Sequence, residues 1–77
     1  MYEFAIDTTA PKSEQYRELI RSAEALTEGE PDGIANMANV AALLWEYLPD
    51  VNWTGFYRMV SGELVLGPFQ GKAACIR

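Results

Sequence analysis

The chain has 77 residues, 49% apolar and 22% charged, with eleven acidic and six basic side chains, no histidine and one cysteine. That length holds one domain at most, its hydrophobicity is too high for a disordered segment, and a single thiol excludes an internal disulfide. A net charge of −5 with no basic stripe argues against nucleic acid as a partner, and the amino terminus lacks the basic flank and apolar run of a signal peptide or membrane span.

Residues 1–12 are polar and close on Thr8-Thr9-Ala10-Pro11-Lys12, which reads as an arm ahead of a single folded unit, residues 13–77. The first helix is expected over residues 13–27, with Ser13 as its N-cap. Tyr16, Leu19, Ile20, Ala23 and Leu26 share one face at helical spacing, while Glu14, Arg17, Glu18 and Arg21 form ion pairs on the other. Gly29 suits the C′ position, and Pro31 the first turn of the next helix.

A second helix is expected over residues 31–48, with Ile34, Met37, Ala38, Ala41, Leu44, Trp45 and Leu48 on its inner stripe. Asn36 and Asn39 flank that stripe, and each should find a hydrogen-bond partner or face water. Pro49-Asp50 ends the helix. A strand follows over residues 51–60, and its face of Val51, Trp53, Gly55, Tyr57 and Met59 is the more apolar, hence the expected inner one. Ser61-Gly62 supplies a hairpin turn, residues 63–67 return as the paired strand, and Pro68 breaks or edges the ladder. A further extended piece could begin at Ala73. The fold class is therefore α+β, two helices packed on an antiparallel β-hairpin.

The charge is uneven: residues 1–50 carry ten acids and three bases, residues 51–77 one acid and three bases. A small anionic ligand would meet less repulsion on the strand half. There, Trp53 and Tyr57 flank Gly55 as two aromatic walls over a glycine floor, a slot for a small ligand or simply packed rings. Gly67-Pro68-Phe69-Gln70-Gly71 could present backbone amides and Gln70 to a ligand, or be a bend between strands. It is no phosphate loop, lacking the lysine and hydroxyl of that motif. Cys75 could be a nucleophile, a resolving thiol or a structural cysteine. Lys72 and Arg77 are nearby cations, but the chain has no histidine to serve as its base. Neither a metal site nor a bound cofactor is expected from one cysteine and scattered carboxylates.

Gly29-Glu30, Ile34-Ala35-Asn36-Met37-Ala38-Asn39, Asn52-Trp53-Thr54-Gly55-Phe56-Tyr57 and the run from Leu64 through Gly71 to Cys75 together resemble the N-terminal half of free methionine-(R)-sulfoxide reductases. The resemblance runs from about Ser13 onward and implies part of a GAF-type domain. It implies that Trp53 and Tyr57 are pocket aromatics for free methionine (R)-sulfoxide, that Gln70 lies near that pocket, and that Cys75 is a resolving or recycling thiol. It also implies a thioredoxin-like reductant and, in keeping with the free cysteine, a cytoplasmic setting. The attacking cysteine of that family has no counterpart among these residues, so the chain alone is expected to be inactive. Two other readings stand beside it: a shortened GAF-type module that binds a small ligand or forms a homodimer through an exposed sheet edge, and a fragment without activity of its own.

Overall fold

The computed structural model describes residues 3–4 and 6–77. Helix α1 spans Lys12–Thr27, helix α2 spans Gly33–Tyr47, and strands β1 (Trp53–Val60) and β2 (Glu63–Gly71) form one antiparallel pair. α2 lies across both strands, and α1 packs on α2 without reaching the hairpin. The order of layers is thus helix, helix, sheet. No helix among the described residues is long and apolar enough to cross a membrane.

α1 starts two residues earlier than the expected Ser13 cap allows. Pro11 holds the N-cap position with φ −55° and ψ 148°, and its carbonyl accepts from the amides of Glu14 (2.9 Å) and Gln15 (3.1 Å). Ser13 therefore lies inside the first turn, and no side chain caps the helix. Instead, Gln15 Nε2 reaches back to the Ala10 carbonyl at 2.7 Å and ties the arm to the helix. The arm is fixed at a second point, where Tyr47 Oη donates to the Phe4 carbonyl (2.7 Å) and accepts from the Phe4 amide (3.2 Å). Between them Asp7 closes a local turn onto the Thr9 amide and hydroxyl, and those hydrogen bonds hold its carboxyl below its ordinary pKa.

α1 ends as expected, with Gly29 at φ +75° after a Glu28 amide that donates to the Glu24 carbonyl. The start of α2 differs from expectation. Asp32 is the N-cap, its Oδ1 accepting from the amides of Ile34 (2.9 Å) and Ala35 (3.1 Å), so Pro31 falls before the helix rather than in its first turn. Asn36 donates to the Glu30 carbonyl at 2.9 Å and Asn39 faces solvent, which satisfies both asparagines.

The buried faces are narrower than the helical periodicity suggests. On α1 only Leu19 and Ser22 are buried, while Tyr16 and Ile20 are exposed. On α2, Ala41 and Leu43 are buried, while Ile34 and Trp45 stay exposed. The cause is the layering: α2 has neighbours on two sides and α1 on one only, so a single broad stripe is not what either helix covers.

The hairpin turn is the two-residue type the Ser61-Gly62 pair predicts, both residues having positive φ (50° and 83°) between the paired Val60 and Glu63. β2 continues through Pro68 to Gly71 rather than stopping at Gly67. The ladder absorbs the proline by a bulge: Tyr57 pairs with Leu66 and Gly55 with Phe69, leaving Gly67 and Pro68 together opposite Phe56. Residues 73–77 form no regular strand, yet the Leu66 amide donates to the Ile76 carbonyl at 2.7 Å, so this segment runs beside β2.

The expected inner face of β1 is the outer one. Thr54, from the opposite face, is buried and donates its hydroxyl to the Ala41 carbonyl of α2 at 2.8 Å, whereas Tyr57 and Met59 are exposed. A threonine can sit under a helix because its one polar atom finds a partner there. Among the described residues no helix covers the more apolar face.

Candidate functional site

The face of the hairpin turned away from α2 carries three aromatic rings. Trp53 and Tyr57 come from alternate positions of β1, and the bulge brings Phe69 onto the same side opposite Gly55. Trp53 is the middle member: its ring stacks on Phe69 at 5.4 Å with planes 15° apart, and on Tyr57 at 6.1 Å and 26°. Gly55 makes this possible. A Cβ there would lie 2.7 Å from Trp53 Cη2 and 2.9 Å from Phe69 Cα, so only glycine lets the indole lie down over the strand.

This arrangement corrects the picture of two walls over an empty floor. The indole itself occupies the space above Gly55, and the site is a stacked aromatic platform rather than a slot. Among the described residues no helix lies on this side, and Tyr57 is 40% exposed while Trp53 and Phe69 are half-buried. Trp53 Nε1 is buried without a hydrogen-bond partner among the described residues.

Cys75 is exposed, and its carbonyl accepts from Tyr57 Oη at 2.7 Å. That bond brings the thiol-bearing segment to the edge of the platform. Of the two cations near it in sequence, Arg77 is directed elsewhere, its Nε pairing with Glu63 Oε2 at 3.2 Å. Gln70 is separated from the rings: it pairs with Thr54 and shares the face of that residue. It meets Trp53 only across an open groove of about 840 Å³ at the end of the hairpin, which Trp45, Asn52 and Lys72 also line. The better enclosed cavity, between the arm, Leu19 and Tyr47, offers about 30 Å³, room for little more than one water. Among the described residues no group of three or more metal-ligating side chains comes together.

Phe69 is the member of the platform that periodicity alone misses. A strand ending at Gly67 leaves it in a loop, and a regular strand through it would turn it toward α2. The usable signal is Pro68, since proline inside a strand pattern marks a bulge that changes which residues share a face.

An antiparallel hairpin backed by one helix, with a second helix stacked behind and an aromatic face left open, is here part of a GAF fold. The chain superposes on a putative GAF sensor protein from Burkholderia vietnamiensis with a TM-score of 0.81 and 54% identity, over 88% of this chain and 43% of that one. Within that class the chain is homologous to part of the free methionine-R-sulfoxide reductases. It is 53% identical to the enzyme of that name from Escherichia coli over 66 residues, 86% of this chain and 40% of the relative. It also superposes on free methionine-R-sulfoxide reductase from Neisseria meningitidis, solved in complex with its substrate, with a TM-score of 0.85 and 40% identity over 99% of this chain and 46% of that one. No protein-family model matches the chain. The chain spans less than half the length of the curated relatives it matches.

Proposed function

We propose that the chain supplies one wall of a methionine-sulfoxide chamber and one thiol of a sulfoxide reductase. The observation that carries this reading is the Trp53 stack with the Cys75 segment hydrogen-bonded to its edge, in a chain homologous to part of free methionine-R-sulfoxide reductases. Trp53 and Tyr57 give a short thioether chain an apolar surface to lie on.

The chemistry sets what else is required. A thiolate attacks the sulfoxide sulfur while an acid protonates the oxygen; methionine leaves and the attacking cysteine becomes a sulfenic acid. A second thiol condenses with it, releasing water and forming a disulfide, which a thioredoxin-like dithiol then reduces. The 77 residues hold one thiol, so they cannot form that disulfide within one chain. In this reading Cys75 is the resolving or recycling thiol, and the attacker comes from other residues. The free, exposed cysteine suits a reducing compartment such as the cytosol. A second reading, a GAF-type module that binds or dimerises without turnover, draws on that same single thiol and on the open sheet face.

Two measurements test these readings, the first the substrate and the second the role of Cys75. Titration with free methionine (R)-sulfoxide should shift the NMR signals of Trp53, Tyr57 and Phe69, and the S epimer should not; no shift at the platform sinks the substrate assignment. With thioredoxin, its reductase and NADPH, the purified chain should show no sustained sulfoxide reduction. Repeated turnover that Cys75→Ser abolishes would show that Cys75 is the attacker instead.

A further inference from the structure

Tyr57 does something that a pocket wall need not do. Its ring is held from one side by Trp53, and its hydroxyl spans β2 to reach the Cys75 carbonyl at 2.7 Å. Leu66, the cross-strand partner of Tyr57, donates its amide to the next residue along, Ile76, also at 2.7 Å. Glu63, four positions before Gly67 on the same strand, holds Arg77 at 3.2 Å. Three consecutive residues, 75 to 77, are therefore each tied once to the hairpin. Only the tie at Cys75 comes from a side chain of the aromatic platform.

We propose that Tyr57 is a latch and positioning residue: its hydroxyl pins the Cys75 backbone beside the platform and thereby fixes where the exposed Cys75 thiol sits relative to the ring stack. The argument is one of chain connectivity. A segment without regular strand structure is held by few bonds, so losing one of three lets the others open more often. The Leu66–Ile76 bond follows directly in the chain and weakens with it. A single net hydrogen bond is worth a factor of about five in such an equilibrium, which is strong enough to bias the segment and weak enough to release it. Coupling is also reciprocal: whatever engages the Tyr57 hydroxyl on the platform competes with the latch and frees the thiol segment. The ring stack and the thiol are thus parts of one device rather than neighbours.

The proposal deepens the reductase reading, resting on Cys75 being a working thiol, but its test uses neither sulfoxide nor reductant. In the 77-residue chain Tyr57→Phe keeps the ring and removes only the donor. One rate is read, hydrogen exchange at the Leu66 amide relative to the Leu44 amide of α2. It should rise about fivefold, with helical circular dichroism unchanged. Should Tyr57→Phe fail to fold, Tyr57→para-methoxyphenylalanine keeps the oxygen and puts a methyl group in place of the donated proton, and the same rise is expected. An unchanged Leu66 rate in a folded variant overturns the latch. Failure here leaves the substrate assignment untouched, and absence of sulfoxide binding leaves the latch untouched.

Discussion

Thr54 shows how much a single side chain can decide. It is 8% exposed, and its hydroxyl meets the Ala41 carbonyl in the middle of α2, at a point where Ala41 is fully buried and allows the close approach. One hydrogen bond thus fixes both the depth at which α2 sits on β1 and which face of β1 it covers. Thr54→Val keeps the shape and removes the donor. We expect a loss of about 1 kcal/mol, read as a lower Tm, with the Trp53 and Tyr57 signals shifted because the strand beneath them is no longer held. An unchanged Tm would mean that shape alone seats the helix. The residues of the platform were legible from β-periodicity as a group on one side, Trp53 with Tyr57. Their exposure was not: apolar content named the wrong face as inner, since a satisfied threonine counts as polar in a pattern but as packing in a structure.

At the scale of elements, the helices and the hairpin turn could be read from local signals, and their ends less well. Ser13 looked like a cap because capping residues are named by type. Pro11 took the role because its fixed φ and free carbonyl began the helix sooner. The reverse holds at α2, where Asp32, a strong capping type, sits between Pro31 and Gly33, and the proline beside it is an equally good helix-start signal by type. Asp32→Ala removes both amide contacts and should cost about 1 kcal/mol. For a domain of this size that is a fall in Tm of about 4–8 °C, whereas Ser13→Ala should leave Tm within error. Equal effects from the two substitutions would contradict the cap seen here. The sequence pattern ends β2 at Gly67, short of its observed end at Gly71, for a related reason. A proline removes an amide from the ladder, and the bulge that absorbs the loss is a property of two strands together, invisible along one of them.

The whole molecule is more open than a chain of its length needs to be. Its radius of gyration is 13.7 Å, against about 11.5 Å for a compact domain of 77 residues, and its accessible surface of 5797 Å² exceeds the roughly 4,700 Å² expected for its mass. The excess fits the layering, in which the two-stranded sheet has one covered face and one bare face. Met59 and Leu64, paired across the hairpin, are 68% and 54% exposed on that bare face. Such a patch on a free sheet promotes association. The double variant Met59→Lys, Leu64→Lys should therefore reduce concentration-dependent mass in sedimentation while changing stability by no more than about 0.5 kcal/mol. A large loss of stability instead would show that these side chains are already packed. Neither this openness nor the bare face could be read from composition, because an apolar fraction of 49% says how much there is to bury and not where the cover lies.

The bulge at Gly67 and Pro68 makes changes of length at this point unequal. Loss of Pro68 would leave Gly67 alone opposite Phe56, able to donate to the ladder, with Phe69 still on the side of Trp53 and Gln70 still on the side of Thr54. Gain of one residue would either widen the distortion or exchange those two side chains, carrying the amide to the ring stack and the phenyl ring beneath the helix. The hairpin thus forgives a deletion at the very spot where it cannot absorb an insertion.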